Sequence, residues 1–144
     1  MIVLKSDEEI KKMAEACRIV AEVLDGIRKN VAPGVMTREL DEFAESYIVS
    51  RGARPAFKGY RGYPSTLCAS VNEQVVHGIP SARKLKDGDI ISIDVGVNYK
   101  GFFGDAAITL PVGSISKQAQ RLLSATENSL EAGIEKAVVG NRFI

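Results

Sequence analysis

Apolar positions along the first thirty residues recur at spacings of three and four, at Ile10, Met13, Cys17, Val20, Leu24 and Ile27. That period predicts one amphipathic helix with this stripe facing a core. Ser6 and Glu9 have capping-box spacing, and Asp7 and Glu8 add negative charge to the positive first turn. Arg28 and Lys29 suit the other end of the dipole, and Pro33-Gly34 stops the helix. Thr37 is expected to cap a second helix that buries Leu40, Phe43, Ala44 and Tyr47 and ends at Gly52. Met1 to Leu4 reads as a short strand or packed arm.

The period changes after Gly52. Residues 53–64 mix glycine and proline with aromatic rings, the composition of a loop with fixed turns. Thr66 to Val71 and Val75 to Ile79 read as short strands, and 86–89 as a turn. From Ile90 to Val97 the alternation is clean: Ile91, Ile93, Val95 and Val97 on one face, Ser92, Asp94 and Gly96 on the other. Phe102 to Leu110 is the returning strand, closed by Pro111-Val112-Gly113. A third helix starts at Ser116, with Leu122, Leu123, Leu130 and Ile134 as its apolar side, and runs to about Gly140. Helices first, then strands, then a helix give an α+β class: a single domain over 1–144 with helices packed on an antiparallel sheet.

Composition narrows the field little. The chain has 144 residues, 45% hydrophobic and 26% charged, an ordinary globular balance. A net charge of +1 supplies no basic field, so neither nucleic acid nor an acidic membrane surface is expected as a partner. No apolar run approaches the ~20 residues of a membrane span, and the N-terminus lacks a signal-peptide core, so a cytoplasmic protein is the expectation. Cys17 and Cys68 have no metal-type spacing; Cys17, on the helical stripe, is expected to be a buried free thiol.

The chemistry concentrates in D-V-G-V-N-Y-K-G-F-F-G-D, from Asp94 to Asp105. A hairpin loop centred on Tyr99-Lys100 would set Asp94 directly opposite Asp105, with Cβ atoms ~5 Å apart. Two carboxylates that close repel unless a divalent cation or a shared proton neutralises them. Gly96 and Gly104 would leave room for an ion or substrate beside them. A solvated aspartate on an open sheet face is the plain alternative, and a one-residue change of register would send the two side chains to opposite faces. Spacing alone leaves these readings open.

The runs GYPSTLCASVNEQVVHGIP (62–80) and KDGDIISIDVGVNYKGFFGDAAITLPVG (86–113) resemble the type I methionine aminopeptidases. The ordered combination of N-E-x-x-V-H-G-I-P, D-G-D-I-x-x-I-D and G-D-x-x-x-T carries the resemblance. It implies the pita-bread fold, two pseudo-symmetric α+β halves around an antiparallel sheet, of which this chain would be the N-terminal half. It also implies metal-dependent removal of the initiator methionine from nascent proteins and peptides, with two divalent ions (Co, Mn, Fe(II) or Zn). By position, Asp94 and Asp105 match the aspartate ligands, Asp105 bridging the metals, and His77 matches the histidine that contacts substrate. Phe57, Tyr60, Tyr63 and Cys68 match the wall of the methionine pocket, and Asn72 a residue near a monovalent-cation site. The sequence departs from the family at Gly96, where many relatives carry threonine, and at Phe57, where some carry cysteine.

Each of these residues also has a plainer reading. A lone histidine is more often structural than catalytic, although the HGIP setting favours the site. Tyr60 and Tyr63 could simply cover the core, and Cys68 suits packing better than nucleophilic attack. The resemblance further calls for one histidine and two glutamates as ligands, and after Asp105 only Glu127, Glu131 and Glu135 carry carboxylates, spaced as an exposed helical stripe. A chain truncated after GNRFI is therefore expected, holding divalent ions weakly or not at all, with activity by family rather than by itself. Surface exposed by truncation is expected to drive self-association. The rivals are a catalytically inactive fragment or binding module, and an aminopeptidase P or prolidase-like peptidase.

Overall fold

The computed structural model describes residues 3–142. Helix α1 spans Asp7–Asn30 and opens on the expected capping box: Ser6 Oγ accepts from the Glu9 N–H at 3.3 Å, and the Glu9 carboxylate accepts from the Ser6 N–H at 2.8 Å. Its buried face is Ala16, Ile19, Val20, Val23 and Ile27, rotated from the expected stripe. Cys17 is exposed, contrary to expectation, and Ile10 is half exposed. The reason lies in the sheet beneath. A Cβ on Gly104 would lie 2.6 Å from the Cys17 backbone nitrogen and 2.8 Å from the Ala16 oxygen, so the helix crosses the sheet backbone to backbone, at its smallest residue.

Helix α2 is Thr37–Ser50, with Leu40, Ala44 and Ile48 in the core. Thr37 lies inside the first turn and not at the cap; Met36 holds that place, its N–H donating to the Glu39 carboxylate at 2.7 Å. The Thr37 hydroxyl instead accepts from the Ser81 N–H at 2.9 Å, tying α2 to the distant loop.

Four strands follow: β1 Arg54–Pro55, β2 Leu67–Val71, β3 Ile90–Tyr99 and β4 Phe102–Pro111. All pairings are antiparallel: β4 runs along the whole of β3, while β2 and the two-residue β1 share its other side. Ile91, Ile93, Val95 and Val97 are fully buried under α1 and α2, as the alternation predicted. The β3–β4 turn is Lys100-Gly101, at φ 50° and 86°, the two positive values of a type I′ hairpin. This corrects the expected loop centre by one residue and shifts every partner by two: Asp94 faces Ala107, and Asp105 faces Gly96.

Val75 to Ile79 is not a strand, and Val75, Val76 and Ile79 are exposed. Asn72 and His77, at φ 56° and 59°, turn the chain out of extended geometry. Helix α3, Lys117–Lys136, is capped by Ser116, whose Oγ accepts from the Ala119 N–H at 3.1 Å, and ends four residues short of Gly140. It buries none of its residues; Leu122, Leu130 and Ile134 are exposed, against expectation, because nothing among the described residues packs on them. Val3 and Leu4 are exposed coil; the rest of the expected N-terminal arm, Met1 and Ile2, lies outside the described residues.

Candidate metal centre and groove

Strand alternation puts Cys68, Asp94, Gly96 and Asp105 on the sheet face opposite the core. Cys68 pairs with Asp94 across β2–β3, and Gly96 with Asp105 across β3–β4. The aspartates are therefore diagonal neighbours on one face, and their carboxyl groups still reach each other. They are unequal. Asp105 is exposed, whereas Asp94 is half-buried and its Oδ1 is sequestered with no hydrogen-bond partner. Burial pushes the Asp94 carboxyl above its ordinary range, the Asp105 carboxylate pushes it further, and nearby His77 partly opposes the rise.

Tyr63 and Cys68 join Asp94 in one cluster. The Tyr63 hydroxyl lies 3.1 Å from both the Leu67 and Gly78 carbonyls, lacing β2 to the His77 loop. Burial raises its pKa strongly, with Cys68 adding to the shift. Burial likewise raises the Cys68 thiol, and Asp94 and Asp105 add to that rise against a hydrogen bond from Tyr63, so the sulfur stays protonated and packs. His77 itself is exposed in a left-handed conformation.

Phe57 and Tyr60 line an open groove of ≈ 1010 Å³ together with Arg54, Phe103 and Asp105, whereas Tyr63, Cys68 and Asp94 are not among its lining residues. Asp105 is thus the residue common to groove and carboxylate pair. Contrary to the expectation from sequence, neither glycine leaves room for an ion beside the carboxylates. The place of a Cβ on Gly96 is taken by the Phe57 ring, 2.5 Å away, and Gly104 serves the helix crossing on the far face. Asn72 stands outside both features. Its Oδ1 accepts from the Ile90 N–H at 3.0 Å and its Nδ2 donates to Asp89 at 2.8 Å. Burial would raise Asp89, but the hydrogen bonds from Asn72 and the Lys86 N–H outweigh it and leave the carboxyl below its ordinary value.

Sequence reasoning missed Asp41. Its Oδ1 accepts from both the Thr66 and Leu67 N–H groups at 2.9 Å, holding the start of β2 against α2, with burial raising its pKa against those two bonds. The partners lie 25 and 26 residues away, so no local pattern could reveal them. Also unforeseen is the Lys58–Glu45 ion pair at 2.6 Å, which fastens the residue after Phe57 to α2.

Among the described residues no three histidine, cysteine, aspartate or glutamate side chains converge as a ligand set. Asp94 and Asp105 nonetheless fit a divalent ion as part of one. A sequestered, acceptor-only oxygen beside a second carboxylate is the donor chemistry that hard and borderline cations take.

A fold of two helices on an antiparallel sheet, presenting two aspartates beside a groove, has a counterpart among peptidases. Residues 11–144 match the model of metallopeptidase family M24, and the chain belongs to that family. Within it, a methionine aminopeptidase of Clostridium perfringens is 51% identical over 143 residues, covering 99% of this chain and 57% of the relative. The crystal structure of methionine aminopeptidase from Thermotoga maritima superposes with TM-score 0.91 at 41% identity, over 96% of this chain and 55% of that one. The fold is accordingly the pita-bread fold, and the chain spans a little over half the length of the relatives it matches. A prolidase from Pyrococcus horikoshii also superposes, with TM-score 0.82, but at 24% identity that likeness concerns the fold alone.

Proposed function

We propose that this chain supplies one half of a methionine aminopeptidase site, removing the N-terminal methionine of nascent proteins and peptides in the cytoplasm. The observation that carries the reading is Asp94, whose sequestered Oδ1 has no partner and whose neighbour Asp105 opens onto an aromatic groove. Asp94 and Asp105 would hold the divalent ions, Co, Mn, Fe(II) or Zn, together with a histidine and two glutamates from outside this chain. When bound, such ions polarise the scissile carbonyl and activate the attacking water. His77, beside Asp94, would donate to the substrate carbonyl as charge develops on it. Phe57 and Tyr60 would flank the methionine side chain, with Tyr63 and Cys68 as the packed wall behind, and Asn72 would shape the loop near a monovalent cation.

Calorimetric titration with Mn(II) tests the ligand pair: heat of binding in the wild-type chain should disappear in Asp105→Asn. Hydrolysis of methionyl-alanine in preference to Xaa-Pro peptides separates this reading from a prolidase-like one. A second reading, a non-catalytic module that associates through its bare surface, is favoured by the uncovered apolar side of α3. Absence of any metal heat would support it.

A further inference from the structure

Residue 96 sits directly opposite Asp105 in the β3–β4 register, on the face that carries the groove. It is glycine, it is buried, and the cover over it is the Phe57 ring. The place of its missing Cβ lies 2.5 Å from Phe57 Cε1, 3.1 Å from Phe57 Cδ1 and 3.1 Å from Ala56 Cβ. The segment carrying the ring is fastened to the same strand. Arg54 and Pro55 pair with Asn98 and Val97, and the Ala56 N–H donates to the Gly96 carbonyl at 2.9 Å. On the other flank, Lys58 is held to Glu45. Phe57 therefore has little freedom except at its own side-chain torsions, and its ring rests where a side chain at 96 would stand.

We propose that Phe57 and Gly96 act as one specificity-determining unit: the glycine is the seat of the ring, and residue 57 sets the room beside Asp105. The inference rests on the aminopeptidase reading of the groove for the identity of its occupant, an apolar side chain on a primary amine. A methyl group at 96 tips the ring off its seat into the groove, since the ring edge is the movable partner and the backbone-anchored Ala56 is not. Removing the ring vacates the space next to Asp105, and a side chain at 96 then fills it from below, keeping only the 3.1 Å approach to Ala56 Cβ as a tight contact.

Four proteins test this: wild type, Gly96→Ala, Phe57→Ala and the double variant. Thermal melts should show Gly96→Ala several degrees below wild type, and the double variant closer to Phe57→Ala than Gly96→Ala is to wild type. A Gly96→Ala penalty of equal size in both backgrounds, or none in either, overturns the unit. Binding of L-methionine amide and L-phenylalanine amide, followed by NMR titration with Mg(II) present, reads the size effect. Phe57→Ala should gain several-fold for the bulkier amide relative to the methionine amide, and the double variant should lose that gain. An unchanged ratio across all four proteins overturns the specificity role while leaving the aminopeptidase reading intact. No binding of either amide to any of the four, with the melts non-additive, instead overturns the aminopeptidase reading of the groove and the specificity role with it.

Discussion

Replacing Asp94 by asparagine should make the metal-free chain more stable at neutral pH. Asp94 is desolvated, one of its oxygens has no partner, and Asp105 lies beside it with the same charge. Unit charges ~4 Å apart interact by about 1 kcal/mol in water and about 4 kcal/mol at an effective dielectric constant near 20. Because Asp105 is exposed, screening places the repulsion near the lower figure, about 1 kcal/mol. Asparagine keeps the shape and removes the charge, so a gain of roughly 1 kcal/mol is expected, or ~2–8 °C in Tm for a domain of this size. The pH dependence follows from the direction of the shift. The folded-state pKa of Asp94 is raised, so its contribution to stability is fully present below the ordinary aspartate value and is lost as pH rises through the folded value. Wild type and Asp94→Asn should therefore be alike in acid and diverge as pH rises, the variant above. Urea melts from acid to neutral pH, with chelator present, measure this gap. Added Mn(II) should then stabilise wild type and not the variant. An Asp94→Asn chain less stable than wild type at neutral pH, without metal, would refute the reasoning, because it would mean that His77 and the backbone already compensate the charge.

Three further outcomes rest on separate parts of the fold. Gly104→Ala drives a Cβ into the backbone of α1 at Ala16 and Cys17, where no side chain can rotate away, and should cost about 1–3 kcal/mol in urea unfolding. Asp41→Ala leaves the Thr66 and Leu67 N–H groups without their acceptor and should cost ~1–3 kcal/mol, with faster amide exchange confined to the start of β2. Leu130→Glu with Ile134→Glu on the uncovered side of α3 should leave the melting temperature nearly unchanged and reduce self-association in sedimentation; a wild-type chain that sediments as a monomer at high concentration would show that this surface needs no cover.

Much of the frame is legible in the residues themselves. The Ser6–Glu9 box, the start of the third helix at Ser116 and the Ile91-to-Val97 alternation are local signals, and the structure follows each to within a residue. What the pattern could not supply came from contacts across the chain. The face of α1 is chosen by Gly104, almost ninety positions away, and periodicity alone cannot tell Cys17 from Ala16 as the residue that meets the sheet. Val75 to Ile79 has strand composition, but left-handed backbone at Asn72 and His77 overrides propensity. Thr37 reads as a cap because threonine favours that position, yet its hydroxyl is taken by Ser81. The turn was more accessible: a type I′ hairpin wants positive φ at both central residues, and Gly101 marks the second of them.

That turn matters to the site more than its single residue suggests. A loop centred on Tyr99-Lys100 would oppose the two aspartates directly, in equivalent surroundings, and two equivalent carboxylates are the arrangement that best shares a proton. The observed register moves them onto a diagonal, where Cα atoms stand ~7–8 Å apart and side chains meet only at their tips. The diagonal also makes them different. Asp94 falls between Cys68 and Ala107, toward the Tyr63 cluster, and loses water; Asp105 falls opposite Gly96, on the groove that Phe57 also lines, and keeps it. One carboxylate is thereby held with a bare, sequestered oxygen while the other stays open to the groove. Asp94 and Asp105 would therefore offer a cation one desolvated donor and one open to solvent, a division that a symmetric pair could not provide.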